Sequence, residues 1–151
     1  MATGLRPGRD VTQRLRWAGR TWSNWFDLGS ATAPRAALAP SVAGIYRLRC
    51  AGRPGLIYIG QSGRSLRTRL RQLRDGMAEA AAGRPHSAPH FAAPCVQAHA
   101  AKGWAVEVSW IELEEVDRRE RFGIEVDLIA LYRRTVNQSP TCQFAGVLEP
   151  D

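Results

Sequence analysis

Glu125 sits among apolar residues at helical spacing, with Phe122 at i−3, Leu128 at i+3, Ile129 at i+4 and Tyr132 at i+7. A carboxylate in such a patch loses hydration unless it is paired, protonated or bound to a cation. Glu125 is therefore a candidate metal ligand or general acid; the other reading is a carboxylate at the patch edge paired with Arg121 at i−4. Arg69 is a second candidate. Leu66, Leu70, Leu73 and Met77 mark one helix face, Arg67, Arg71 and Arg74 form a basic stripe on one flank of it, and Arg69 falls on the opposite flank. Its planar fork suits a phosphate oxygen, against the plainer reading of an arginine whose stem covers the core. Asn137 lies just beyond the Glu125 helix, where asparagine either caps the end or serves a site. His86 and His90 stand in a Pro-rich loop and His99 in a short helix; without clustered acids they give little support for zinc. Trp17, Trp22 and Trp25 interleave with Arg14, Arg16 and Arg20, a set that either stacks on bases or, more commonly, packs in a core.

These residues need elements to hold them. Residues 42–49 and 56–59 read as two strands joined by a turn of Gly and Pro, an antiparallel hairpin. Ser65 is the N-cap of a helix over 66–82. A Pro-rich loop at 83–94 leads to a short helix at 95–101. A strand follows at 105–113, rich in Val, Ile and Trp, and a helix at 116–134. Residues 11–28 read as a broken helical stretch, 1–10 as a frayed start, 29–40 as a Ser/Ala/Pro linker and the chain after 137 as irregular. The pattern predicts a mixed α/β (α+β) fold, with a small three-stranded antiparallel sheet flanked by helices.

The chain has 151 residues, enough for one domain with a real core, and 44% apolar with 23% charged residues excludes a disordered chain. No run of apolar residues is long enough to span a membrane, and the Arg-rich start lacks the apolar block of a secretory signal. Lys102 is the only lysine among 21 basic residues. Residues 1–74 hold 14 arginines against Asp10 and Asp27, whereas residues 75–151 hold seven basic against twelve acidic. A basic first half points to a polyanion such as nucleic acid, although high Arg and Ala content also follows from gene base composition. Cys50, Cys95 and Cys142 are widely spaced and odd in number; they fit neither a disulfide framework nor a zinc site and suggest a reducing, cytoplasmic setting.

Gly44-Ile45-Tyr46, an 11-residue spacer and Tyr58-Ile59-Gly60 resemble the paired signature of the GIY-YIG nuclease superfamily. Gln61-Ser62-Gly63 and Ser65-Leu66-Arg67-Thr68-Arg69-Leu70 are similar to the family segment after the second strand, which puts the family arginine at Arg69. Glu125, followed by Leu128-Ile129, is similar to the helix supplying the family's metal-binding glutamate. Asn137, 12 residues later, falls where the family has an asparagine that closes the site. Leu73 stands where many members carry His or Tyr, and Gln61 where some carry Lys; His90 is the candidate substitute.

The resemblance covers about residues 42–138. It divides the chain into an Arg/Trp-rich extension (1–40), a nuclease-like domain (41–140) and a tail (141–151). It implies phosphodiester hydrolysis in DNA with one Mg²⁺ or Mn²⁺ on Glu125. Arg69 would hold a phosphate oxygen, Tyr46 would position or deprotonate the attacking water, Tyr58 would hydrogen-bond near the same phosphate, and Asn137 would orient the helix end or a water. A tyrosine acting as base needs its pKa brought down from about 10, a task for Arg69 and the cation. RNA as substrate, and a non-catalytic nucleic-acid-binding module on the same scaffold, are the alternatives. One site per chain leaves monomer or dimer open.

Overall fold

The computed structural model describes residues 10–29 and 39–144. The frayed start, most of the linker expected at 29–40 and the end of the tail lie outside the described residues.

Four antiparallel strands form the main sheet, in the order β3 (Phe26–Asp27), β6 (Val106–Glu112), β4 (Gly44–Cys50), β5 (Tyr58–Ser62). β4 is central and is covered on both faces, which is why it reads as a continuous apolar run broken only by arginines. Alternation sends Tyr46, Leu48 and Cys50 to one face and Ile45 and Arg47 to the other. On the Tyr46 face the sheet packs against α1 (Leu66–Ala81) and α2 (Ala93–Ala100), through Leu66, Leu70, Leu73, Met77 and Val96. On the Arg47 face Ile45, Ile59 and Ile111 meet Leu128 and Tyr132 of α3 (Arg118–Val136), together with Trp17 and Trp22.

Local chemistry sets the helix limits. The Ser65 hydroxyl accepts from the Thr68 N–H at 3.1 Å and the Asp117 carboxylate from the Glu120 N–H at 2.8 Å, each pairing one of the free N–H groups of a first turn. Asn137 ends α3 in the left-handed region, with φ 60°, and its N–H donates to the Arg133 carbonyl.

The amino-terminal segment departs from the sequence reading. Residues 11–28 are not helical beyond one 3-10 turn (Val11–Gln13): β1 (Arg16–Trp17) and β2 (Arg20–Thr21) make a tight hairpin, and β3 joins the main sheet against β6. The sheet thus has four strands, with a two-stranded hairpin beside it, where three strands were expected. The cause is tertiary. Arg47 has no exposed surface, and its guanidinium donates to the Thr12 and Arg14 carbonyls, each at 2.6 Å. It lies 4.5 Å from the ring centroids of both Trp22 and Trp25 and 5.7 Å from that of Trp17. The tryptophans enclose this cation and do not form a base-stacking platform.

The cysteine expectation is corrected too. Cys95 on α2 and Cys142 in the tail are joined as a disulfide, and Cys50 is free and buried. Their separation of 47 residues concealed the pairing. The tail returns along β5, where the Cys142 N–H donates to the Ile57 carbonyl at 2.7 Å and the Gln143 amide brackets Ile59 with two hydrogen bonds of 2.9 Å. None of the described helices is long and apolar enough to cross a membrane.

Candidate active site

The β4–β5 register decides whether the two motif tyrosines share a face. Tyr46 is the Cα partner of Gly60, and Leu48 of Tyr58. Tyr46 and Tyr58 are therefore diagonal neighbours on one face, with ring centroids 5.9 Å apart. Gly60 lies beneath both: a Cβ there would sit 2.6 Å from the Tyr46 hydroxyl and 2.5 Å from Tyr58 Cε1. The glycine of the second motif is thus a space requirement of the paired rings.

His90 enters from the loop between α1 and α2 and has no exposed surface. Its Nε2 lies 2.6 Å from the Tyr46 hydroxyl, and its ring centroid 5.3 Å from that of Tyr58. Burial, reinforced by Arg69, lowers its pKa to about 3, so the imidazole is neutral. Its Nδ1 is buried without a partner. The loop is pinned at its start by Glu79, which accepts from the Ser87 N–H and hydroxyl and from the Ala88 N–H. It is pinned near His90 by Arg69, whose Nη1 donates to the Pro89 carbonyl at 2.8 Å and to Gln72 Oε1 at 3.2 Å.

Arg69 is half-buried, has no carboxylate in salt-bridge reach among the described residues, and acts electrostatically on Tyr46, Tyr58, His90 and Glu125 alike. Burial raises Glu125 to about 7, against a smaller opposing pull from Arg69. Burial also raises both tyrosines, and Arg69 only partly offsets it. Arg69 pulls both tyrosines in the expected direction, and on its own does not bring either below its usual range. The two tyrosines also differ in access: Tyr46 has no exposed surface and is engaged with His90, whereas Tyr58 is partly exposed.

Glu125 is not paired with Arg121. The Arg121 Nε donates instead to Gln61 Oε1 at 2.7 Å, and its Nη2 would lie 2.8 Å from a Cβ at Gly63. Arg121 is buried, yet no carboxylate reaches it among the described residues. Among them its guanidinium is met by neutral acceptors only, Gln61 Oε1 and, at 3.4 Å, the Val116 carbonyl. Sequence spacing presented Arg121 only as a partner for Glu125; the signal that it turns elsewhere is Gln61, which no helical periodicity connects to it.

Asn137 stands apart. α3 is continuous between Glu125 and Asn137, 12 residues and roughly 18 Å of helix rise. Asn137 lines an open cavity of about 430 Å³ with Arg133, Arg134, Gln138 and Ser139. The structure thus gathers Tyr46, Tyr58, Arg69, His90 and Glu125, with Arg121 beside them, and leaves Asn137 at the far end of α3.

The chain is similar to GIY-YIG endonuclease domains of known structure. One is the magnesium-bound GIY-YIG N-terminal endonuclease domain of UvrC from Thermotoga maritima, 25% identical over 72% of this chain and 90% of that one, with a TM-score of 0.45. Another is a point mutant of the same domain bound to its catalytic divalent cation, 26% identical over 72% and 89% of the two chains, with a TM-score of 0.44. No protein-family model and no curated protein matches the chain. What the site can do is read from its own side chains. Glu125 is a carboxylate half-buried at a cost that a bound cation would remove. That donor fits a hard divalent ion that takes water and substrate oxygens for the rest of its shell.

Proposed function

We propose that the protein is a divalent-metal-dependent endonuclease that hydrolyses phosphodiester bonds in DNA. The observation that carries this reading is the convergence, at the β4–β5 edge, of two hydroxyls, a neutral imidazole, a guanidinium with no carboxylate partner among the described residues and a half-buried carboxyl raised to about 7. Phosphoryl transfer asks for these parts: a positioned nucleophile, a cation on the phosphate and a metal-binding carboxylate.

In this reading Glu125 holds Mg²⁺ or Mn²⁺, which when bound stabilises the leaving oxygen and the charge on phosphorus. Arg69 binds a non-bridging oxygen, and its bond to the Pro89 carbonyl keeps its fork oriented. Tyr58, the partly exposed hydroxyl, orients the attacking water. Tyr46 supports Tyr58 and is itself held in place by its hydrogen bond with the neutral His90 Nε2. Arg121 takes a neighbouring phosphate of the strand, which supplies the anion it lacks. Asn137 keeps to capping α3.

The test is nicking of supercoiled plasmid with Mg²⁺ or Mn²⁺, with and without chelator, with an RNA arm in parallel. Cleavage of DNA that chelator stops, and that Glu125→Ala loses with the fold intact by circular dichroism, supports the proposal. Metal-independent cleavage, or full activity in Glu125→Ala, would overturn it.

A further inference from the structure

Away from the tyrosines, three soft ligands meet at the junction of α2 and the tail. Cys95 and His99 lie at i and i+4 on one face of α2, and Cys142 arrives from the turn at 141–144. Cys95 Sγ, a His99 ring nitrogen and Cys142 Sγ all fall within 4.8 Å of one another. In sequence the cysteines are odd in number and widely spaced and the histidines lack clustered acids, which argued against zinc. We propose that, once the Cys95–Cys142 bond is reduced, Cys95, His99 and Cys142 bind one Zn²⁺, which then replaces the disulfide as the clasp between α2 and the tail.

The backbone is already arranged for it. The Cα atoms of Cys95 and Cys142 are 5.6 Å apart, so side-chain rotation alone brings the sulfurs to the ~3.8 Å that two Zn–S bonds of about 2.3 Å require. Cys142 is fixed by its N–H to the Ile57 carbonyl and by the Gln143 bonds to Ile59. A disulfide has no use for an imidazole, yet His99 Nδ1 lies 3.7 Å from Cys142 Sγ. That nitrogen now donates to the Cys95 carbonyl at 2.9 Å, a bond it exchanges for the metal. Cys95 and His99 are half-buried, so an ion can enter, and Cys142 is buried. A cavity of about 120 Å³ lined by His99, Trp104, Thr141 and Cys50 adjoins the imidazole and leaves room for water as fourth ligand.

The chemistry balances. A dithiol reductant supplies two electrons and two protons to the S–S bond and becomes a disulfide itself; Zn²⁺ then displaces the two thiol protons. The proposal rests on no part of the nuclease reading.

The full chain, reduced with a phosphine under argon, is titrated with Co²⁺ and then Zn²⁺. One equivalent of Co²⁺ should give thiolate-to-metal charge-transfer and tetrahedral ligand-field bands that Zn²⁺ abolishes, and Zn²⁺ should raise the Tm of the reduced chain or refold it. Cys142→Ser should lose the bands, and His99→Ala should weaken the binding that the bands report at least tenfold. Absence of thiolate bands in the reduced chain, the same bands in the oxidised chain, or bands indifferent to His99→Ala overturns the proposal.

Discussion

A carboxyl raised to about 7 is half-protonated at neutral pH, and this makes Glu125 the most pH-sensitive side chain of the site. Its folded pKa lies above its ordinary value of 4.5, so the fold favours the protonated form. The stability this contributes is present in full below about 4.5 and is lost as pH rises through about 7. Metal affinity runs the other way, because the ion takes the carboxylate form. Urea melts of the metal-free protein should therefore show stability declining between those limits, with a flatter profile in Glu125→Gln, while Mn²⁺ binding strengthens over the same span. Parallel profiles for the two proteins would remove the special titration of Glu125. The tyrosines should separate by role. Tyr58→Phe should lower turnover by ~100-fold, the usual size of a lost transition-state contact, with little change in Tm. Tyr46→Phe should lower both, because it leaves the buried His90 Nε2 without its hydroxyl. Single-turnover rates and thermal melts on both variants check this.

Among the elements, the β4–β5 pair is the most exacting. Gly60→Ala should cost about 1–3 kcal/mol by overpacking and should depress turnover more than DNA binding, since the added methyl meets both rings; denaturant melts beside binding and rate assays measure the split. This pair was legible in the sequence because its strands are bounded by Gly and Pro and carry their own apolar runs. Ser65 and the Leu66, Leu70, Leu73 stripe likewise marked α1, and the apolar residues around Glu125 marked α3. Residues 11–28 were not legible. Their strands are two residues long, too short for periodicity to register, and what holds them is a cation on β4 that the local sequence does not mention. The site divides the same way. Arg69 and Glu125 stand out on their own helices, whereas the contact of His90 with Tyr46 spans 44 residues and depends on how the loop folds back. The turn of Arg121 towards Gln61 likewise depends on α3 crossing β5.

At the scale of the whole molecule, charge is the property that reaches a long polyanion. With 14 arginines in the first 74 residues, binding to DNA should be strongly salt-dependent and largely indifferent to sequence. If several phosphates are engaged, affinity should fall by at least ~10²-fold between roughly 50 and 200 mM salt. Fluorescence anisotropy with Glu125→Ala, which the proposed function expects to bind without cutting, measures the slope, and a flat response would show that the arginines face away from the bound strand. The described part of the amino-terminal extension belongs to the same body as the site, since β3 completes the sheet and Trp17 and Trp22 fill its second core.

That arrangement has an optical consequence. Three of the five tryptophans ring the Arg47 guanidinium, on the face of β4 opposite the one that carries Tyr46. Ultraviolet emission from this protein is therefore mainly a gauge of whether residues 10–29 are docked. An oligonucleotide settling at the tyrosines would be sensed through Trp110 alone, the cross-strand partner of Tyr46, while peeling of the amino-terminal hairpin would move three emitters at once.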